Sequence, residues 1–176
     1  MNSMNVLILE DKKNNRDALE KIVYSCRNIE FVFTCDKVED ALKIVFDRHI
    51  DLFLLDIILK PENENDNSGI QFAEKVRKIN EYKLTPIIFI TVLMGLERDL
   101  LKRIHCYDYI EKPIGDGTIV KEHIEEVTDA IMAGKKSETR ECVPIHYDGL
   151  GYMIFWDEVI FFEHNVGVLY IHCRDD

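Results

Sequence analysis

The chain has 176 residues, enough for one good-sized domain or for one domain and a fragment of another. Its apolar content of 47% and charged content of 31% are ordinary for a globular protein, which argues against wholesale disorder. The formal net charge of -11 disfavours non-specific binding to nucleic acid or to an anionic membrane.

The five cysteines are odd in number and lack C-x-x-C spacing, so we expect reduced thiols and a cytoplasmic location. A buried-strand pattern, Val6 to Leu9, begins almost at the N-terminus, and for this reason no signal peptide is expected. No apolar run is long enough to cross a bilayer, so no membrane association is expected.

The first three quarters of the chain alternate between short apolar runs and amphipathic helical stripes. The apolar runs are Asn5–Leu9, Phe31–Thr34, Leu52–Asp56, Ile87–Ile90 and Tyr107–Ile110. The helical stripes fall within residues 18–26, 38–46, 70–79, 96–104 and 119–133. Five successive strand–helix units predict an α/β fold, a doubly wound five-stranded parallel sheet with helices on both faces.

An acidic, Asn-rich stretch, Glu62–Ser68, follows the third predicted strand. Its composition is typical of an exposed loop. Asn67 or Ser68 is placed to cap the helix that follows.

The pattern changes after Gly134, where the short, charged segment 135–141 is typical of a linker. Beyond it, apolar and polar residues alternate from Val143 to Tyr147, and further strands are predicted over 152–156, 159–162 and 168–173. We therefore expect a first domain over 1–134, a linker over 135–141 and part of an all-β module over 142–176.

Polar side chains close the predicted strands at the sheet edge where ligands bind in this class of fold. They are Glu10 and Asp11 after the first strand, Asp56 after the third, Thr91 after the fourth and Lys112 after the fifth. Three carboxylates brought together call for a cation, and Mg²⁺ with oxygen ligands meets that need. The combination suits an aspartate, Asp56, that attacks a phosphoryl donor while Lys112 and the Thr91 hydroxyl hold the phosphoryl oxygens.

Over roughly Asn5 to Ala133 the chain resembles the receiver domain of bacterial two-component response regulators, a flavodoxin/CheY-like fold. The matching features in chain order are Glu10/Asp11, Asp56 in LLDIILKP, Ser68-Gly69, Thr91 and YIEKP at Tyr109–Pro113. The resemblance implies that Asp56 accepts a phosphoryl group from a sensor histidine kinase. It also implies that the protein is not a turnover enzyme, because it catalyses only its own phosphorylation and dephosphorylation.

The resemblance further implies a ligand set for Mg²⁺. Asp11 and Asp56 would bind the ion directly, together with the backbone carbonyl of Ile58, and Glu10 would assist through water.

A switch is implied as well, in which Thr91 moves toward the phosphate and Tyr109 turns inward. The peptide bond before Pro113 is expected to be cis. Phosphorylation would shift a two-state equilibrium, with homodimer formation or release of the second module as the output.

The C-terminal strands, VIFFEHNVGVLYIHCRDD, resemble the opening of a LytTR DNA-binding domain. The family domain needs several more strands and a helix than this chain supplies. Residues 140–176 carry two basic residues and seven acidic ones, a poor surface for phosphates. DNA binding and transcription regulation are therefore expected only of a complete LytTR domain and not of this truncated chain.

Three departures from the receiver pattern bear on function. The loop Pro61–Gly69 is several residues longer than usual, and Val92 follows Thr91 where the family prefers a small residue. Ile58, two residues past Asp56, has no polar group to position an attacking water. The last two predict slow loss of the phosphoryl group.

Two other protein classes share features with this chain. A haloacid-dehalogenase-type phosphatase also uses a strand-end aspartate, but it needs a second acid two residues on, where this chain has Ile58. A pseudo-receiver, an unphosphorylated protein-interaction module, is the alternative that Val92 and the long loop leave open.

Overall fold

The computed structural model describes residues 3–63, 65–93, 95, 100, 102–137, 142–147, 150–155 and 159–173. The chain divides into two compact units, Met1–Ile131 and Met132–Asp176. No helix among the described residues combines the length and the apolar character that crossing a membrane requires.

The first unit is built on a five-stranded sheet whose strands all pair in parallel, in the order β2-β1-β3-β4-β5. Its strands are β1 (Met4–Leu9), β2 (Ile29–Cys35), β3 (Leu52–Leu55), β4 (Ile87–Thr91) and β5 (Asp108–Glu111). The helices are α1 (Lys13–Tyr24), α2 (Val38–Asp47), α3 (Ser68–Arg77) and α4 (Thr118–Ser137), with a 3₁₀ turn at Asn80–Tyr82. The last six residues of α4 belong to the second unit. The predicted doubly wound parallel sheet is confirmed.

Apolar side chains cover both faces of the sheet, as a central parallel strand requires. β3 is buried along its whole length. On one face, the buried cluster joins alternate strand residues to apolar side chains of α2 and α3, namely Ala41, Val45, Phe72, Ala73 and Val76. The intervening strand residues are equally buried, and the buried side chains of α1 and α4 include Leu19, Val23, Val120 and Ile124. This core fixes β1, β3 and β5 so that their carboxyl ends share one edge.

The predicted end of the last helix of the first unit is wrong. α4 runs to Ser137 rather than to Ala133, so the first three residues of the predicted linker are helical and the rest lie outside the described residues. The predicted helix Leu96–Ile104 also falls mostly outside the described residues, although the amide of Ile104 donates to the carbonyl of Leu100 at 2.9 Å.

The N-terminus of α3 lacks the side-chain cap that the sequence predicted. Asn67 stands at the cap position, but its side chain bonds no backbone amide and instead accepts from the Gln71 side chain at 2.6 Å. The Ser68 hydroxyl donates to Asp66 at 2.7 Å. The polar stretch before α3 is therefore organised by Asp66 and not by a capping side chain of Asn67 or Ser68.

The second unit contains two antiparallel hairpins among its described residues. They are β6 (Cys142–Tyr147) with β7 (Leu150–Phe155), and β8 (Val159–Asn165) with β9 (Val168–Cys173). The turn of the second hairpin carries two positive φ angles, 48° at Val166 and 81° at Gly167. The expected change from an α/β part to a small antiparallel β part is confirmed.

Candidate functional site

Backbone hydrogen bonds bring three polar residues to the carboxyl edge of the sheet. The amide of Glu10 donates to Cys35 at 3.1 Å, that of Asp56 to Leu9 at 2.9 Å and that of Lys112 to Thr91 at 2.8 Å. Each bond continues the parallel ladder by one residue past the strand. Glu10, Asp56 and Lys112 therefore leave the sheet at the same edge, as the sequence predicted.

Lys112 forms the centre of a buried ionic cluster. Its Nζ lies 2.5 Å from Glu10 Oε2 and 2.5 Å from Asp56 Oδ2. The side chain of Glu10 is 1% exposed and that of Asp56 is 6% exposed. Burial raises the pKa of Glu10 above its ordinary value, the ammonium of Lys112 opposes this rise, and the charge of Asp56 adds to it.

Asp11 completes an acidic trio with Glu10 and Asp56. Each of the three offers a carboxylate oxygen, and these oxygens lie within 4.8 Å of one another. Asp11 Oδ1 is buried and has no hydrogen-bond partner among the described residues, which is costly for a carboxylate oxygen unless a cation or a donor reaches it. The donor set is all oxygen, so the trio fits a hard divalent cation.

Two side chains that the sequence did not single out hold the acidic loop in place. Arg16 Nη1 donates to the backbone carbonyls of Glu10 at 2.6 Å and Asp11 at 3.2 Å. Asn15 Nδ2 donates to Glu10 Oε1 at 3.1 Å. Their positions in the first turn of α1, directly after the acidic pair, are the one signal that could have identified them.

Thr91 and Tyr109, the predicted switch residues, both bond to the backbone of Leu93. Thr91 is fully buried, and its hydroxyl oxygen accepts from the Leu93 amide at 3.4 Å. The Tyr109 hydroxyl donates to the Leu93 carbonyl. Leu93 therefore connects the two side chains directly, a link that the sequence did not reveal.

A small cleft of ≈ 140 Å³ opens beside the acidic trio. Its lining includes Asp11, Asp56, Ile58, Asn63 and Val92. The Ile58 amide donates to Asp56 Oδ1 at 3.3 Å, so the chain beyond β3 folds back over the carboxylate. The two residues that the sequence associated with slow phosphoryl loss, Ile58 and Val92, thus border the same space.

The peptide bond between Lys112 and Pro113 is cis.

Gly69 lets α3 approach the backbone of the phosphoacceptor candidate. A Cβ at Gly69 would lie 1.8 Å from the Asp56 carbonyl oxygen and 2.9 Å from the Ile57 Cα. The Gly69 amide donates to the Ile57 carbonyl at 3.0 Å. Only glycine fits here, because α3 approaches the backbone of Asp56 and Ile57 so closely. From the sequence alone, Gly69 was noted only as part of the Ser68-Gly69 pair, without this structural reason.

Asp66 organises the loop between β3 and α3. Its Oδ2 accepts from the amides of Leu59 at 2.7 Å and Lys60 at 3.1 Å, and from the Ser68 hydroxyl at 2.7 Å. Partial burial favours a higher pKa for Asp66, but the bonds from Ser68, Leu59 and Lys60 outweigh it and lower the pKa below its usual range.

Comparison with protein families identifies one match over most of the first unit. The profile of the response regulator receiver domain matches residues 6–124. This range contains the acidic trio, Thr91, Tyr109 and Lys112.

Two curated relatives are similar over a longer stretch. The sensory transduction protein LytR of Streptococcus mutans is 26% identical over 143 residues, which is 76% of this chain and 55% of the relative. The sensory transduction protein LytT of Bacillus cereus is 29% identical over 123 residues, 67% of this chain and 45% of the relative. The chain thus spans about half the length of the curated relatives it matches.

Solved structures show the same fold. The response regulatory domain of MrkE from Klebsiella pneumoniae superposes with a TM-score of 0.62 at 23% identity, covering 74% of this chain and 99% of that domain. The response regulator TrrA from Thermotoga maritima, solved in complex with Mg²⁺ and BeF, gives a TM-score of 0.58 at 25% identity, covering 70% of this chain and 98% of that one.

Proposed function

The chain belongs to the response regulator receiver domain family, and on that premise we propose that it is a phosphorylation-dependent switch whose acceptor is Asp56. The observation that carries this proposal is the buried cluster in which Lys112 Nζ lies 2.5 Å from both Glu10 and Asp56. The Asp56 carboxylate is buried, oriented by the ammonium group of Lys112 and open to a small cleft. These properties suit it to nucleophilic attack on phosphorus. The donor that we propose is a sensor histidine kinase.

Mg²⁺ is the ion that we assign to the acidic trio, with Asp11, Asp56 and the Ile58 carbonyl as ligands and Glu10 assisting through water. The unpartnered buried oxygen of Asp11 supports this assignment, as does the Mg²⁺ in the TrrA structure. When bound, the ion supplies positive charge against the phosphoryl oxygens.

The chain's own residues position the reacting groups. A carboxylate oxygen of Asp56 forms the new bond to phosphorus, and the bond from phosphorus to the donor breaks with its electron pair leaving on the donor. The ammonium group of Lys112, which donates a hydrogen bond to Asp56 Oδ2, can instead bind a phosphoryl oxygen and stabilise its negative charge. The Thr91 hydroxyl, whose oxygen accepts from the Leu93 amide, can donate its proton to a phosphoryl oxygen, and movement of Thr91 toward the phosphate would disturb its bond with Leu93. Because Tyr109 holds the Leu93 carbonyl, that movement would reach Tyr109.

The output that we propose is a change in assembly or in the second module, in keeping with the sensory transduction proteins LytR and LytT to which the chain is similar. Phosphorylation would shift the receiver toward a homodimer or release the second module. DNA would be bound only by a complete LytTR domain, and the location would be the cytoplasm, where the described free thiols, Cys26, Cys35, Cys106 and Cys173, stay reduced.

Incubation with Mg²⁺ and a small phosphodonor tests the acceptor. Intact-protein mass should show one added phosphoryl group on the wild type and none on Asp56→Asn, because the amide is a poor nucleophile. Asp51→Asn is the matched control, since Asp51 is a buried aspartate at the opposite end of β3 and should leave the addition intact. No addition to the wild type at long times would instead favour the pseudo-receiver.

The added phosphoryl group should be lost slowly, over many minutes or longer. The side chain of Ile58 offers no polar atom to orient a water beside Asp56, and Val92 borders the same cleft. Ile58→Asn should speed the loss by about tenfold or more, since a group that positions or activates water contributes substantially to hydrolysis. Ile70→Asn, a half-buried isoleucine on α3, is the control for polarity alone. The decay of the phosphorylated mass measures both rates, and a wild-type half-life of seconds would contradict this prediction.

A further inference from the structure

The segment between β3 and α3, residues 56–67, contains local hydrogen bonds among its described residues. The amide of Asn63 donates to the Lys60 carbonyl at 2.9 Å, and the amide of Asp66 donates to the Asn63 carbonyl at 3.0 Å. The Asn65 amide donates to the Asn63 side chain at 3.2 Å. These bonds form short turns among the described residues of the segment.

A single oxygen closes this segment at its base. Asp66 Oδ2 accepts from the amides of Leu59 and Lys60 on one side, and from the Ser68 hydroxyl on the other. Three donors on one carboxylate oxygen form a set of charge-assisted bonds, which are stronger than neutral ones. Asp66 thus joins the chain that leaves the acidic site to the first residue of α3.

The two ends that Asp66 joins are hydrogen-bonded to Asp56 or to the residue that follows it. On the outgoing side, Ile58 precedes Leu59 and its amide donates to Asp56 Oδ1. On the returning side, Gly69 follows Ser68 and its amide donates to the Ile57 carbonyl at 3.0 Å. The Gly69–Ile57 bond therefore closes the chain from Ile57 to Gly69, and the bonds of Asp66 close a smaller loop within it that begins at Leu59, directly after Ile58.

We propose that Asp66 is a positioning residue for the cation site, acting through the Leu59 and Lys60 amides to fix the Ile58 carbonyl and through Ser68 to fix the approach of α3. The inference rests on the proposed function, because it assigns to Asp66 the support of the Mg²⁺ ligands. We call the three hydrogen bonds to Asp66 Oδ2 the Asp66 clamp. Without the clamp, the backbone after Asp56 would adopt several conformations. The carboxylate and carbonyl oxygens that bind Mg²⁺ would then have to be ordered each time the ion binds.

Three variants measured by calorimetric Mg²⁺ titration test the proposal. Asp66→Ala should weaken Mg²⁺ binding by about 10- to 100-fold, the range found when a residue that orients a metal ligand is lost. Asp66→Asn keeps an acceptor oxygen but loses the charge that strengthens the three bonds, so it should weaken Mg²⁺ binding less than Asp66→Ala does. Asp51→Ala removes a buried carboxylate that accepts the Asn5 amide at 2.8 Å at the other end of β3, and it should leave Mg²⁺ affinity unchanged.

Hydrogen exchange of the metal-free proteins supplies a readout that does not depend on the ion. The amides of Leu59 and Lys60 should exchange faster in Asp66→Ala and stay protected in Asp51→Ala. If Asp66→Ala fails to fold, Ser68→Ala, which removes one of the three bonds, should still lower Mg²⁺ affinity by about threefold.

The outcomes are distinguishable. Unchanged Mg²⁺ affinity in Asp66→Ala, or an equal loss in Asp51→Ala, would overturn the positioning role while wild-type phosphorylation still supports the proposed function. A wild type that neither binds Mg²⁺ nor gains a phosphoryl group would overturn the proposed function and this inference with it.

Discussion

Replacing Lys112 with methionine should lower the free energy of unfolding by about 3–5 kcal/mol at neutral pH, the range for removing one partner of a buried ionic cluster. Methionine retains most of the apolar stem but leaves Glu10 and Asp56 buried without the ammonium that now lies 2.5 Å from each. Urea denaturation would measure the loss. Phosphorylation should fall steeply in the same variant, since no cation then follows the charge onto the phosphoryl group.

The loss of stability in Lys112→Met should depend on pH and on Mg²⁺. Burial already raises the pKa of Glu10, and without the opposing charge of Lys112 that pKa rises further. In the window between the ordinary and the raised pKa of Glu10 the folded state holds a proton that the unfolded state has released, so stability falls as pH rises. The defect of Lys112→Met should therefore shrink on acidification, and Mg²⁺ should stabilise this variant more than the wild type.

Lys43→Met is the matched control. Lys43 pairs with Asp40 at 2.8 Å on the exposed face of α2, and its removal should leave the unfolding midpoint unchanged. A Lys112→Met protein as stable as the wild type at pH 8 would show that the acidic cluster does not need the ammonium.

Gly69→Ala should destabilise the protein by about 1–3 kcal/mol, the usual cost of forcing an extra methyl group into a packed site. In an open helix this change would stabilise by about 1 kcal/mol. Here the new Cβ would meet the Asp56 carbonyl oxygen at 1.8 Å and the Ile57 Cα at 2.9 Å, and backbone atoms cannot rotate away. Either α3 or the end of β3 must shift.

The shift should also impair the chemistry. A displacement of about 1 Å at Asp56 can cost on the order of 100-fold in rate, because attack on phosphorus depends on alignment. The comparison is Gly115→Ala, whose new Cβ has no described atom within 4 Å, so that any loss of stability there comes from backbone strain at a φ of 57° and not from a clash. The rate of phosphorylation by a small donor and the urea midpoint would be compared. A Gly69→Ala protein that is phosphorylated at the wild-type rate would contradict this prediction.

The first unit could be predicted because its strands and helices have different periods. Apolar runs of four or five residues alternate with helical stripes, and this pattern is sufficient to predict a parallel sheet whose carboxyl ends share one edge. The acidic trio and Lys112 follow from that edge, because Glu10, Asp56 and Lys112 each stand directly after a strand and Asp11 follows Glu10. Local sequence therefore carried most of the candidate site.

The parts that could not be predicted depend on distances between segments. Nothing in the polar stretch 62–68 distinguishes Asp66 from its neighbours until the chain turns back on Leu59 and Lys60. The helix α4 passes through Gly134, which the sequence suggested as its end. A glycine inside a helix costs only about 1 kcal/mol, and two lysines after it interact favourably with the helix C-terminus.

The Asp66 clamp also changes how the β3–α3 segment can vary in length. Because the bonds from Leu59, Lys60 and Ser68 close its base, residues added between Pro61 and Asn65 enlarge only a loop whose ends are already joined. The entropy of closing a flexible loop grows slowly, by about 0.6 kcal/mol for each doubling of length. Insertions at this tip thus carry a small thermodynamic penalty, and the segment is a place where relatives can diverge in length while the carboxylate edge stays fixed.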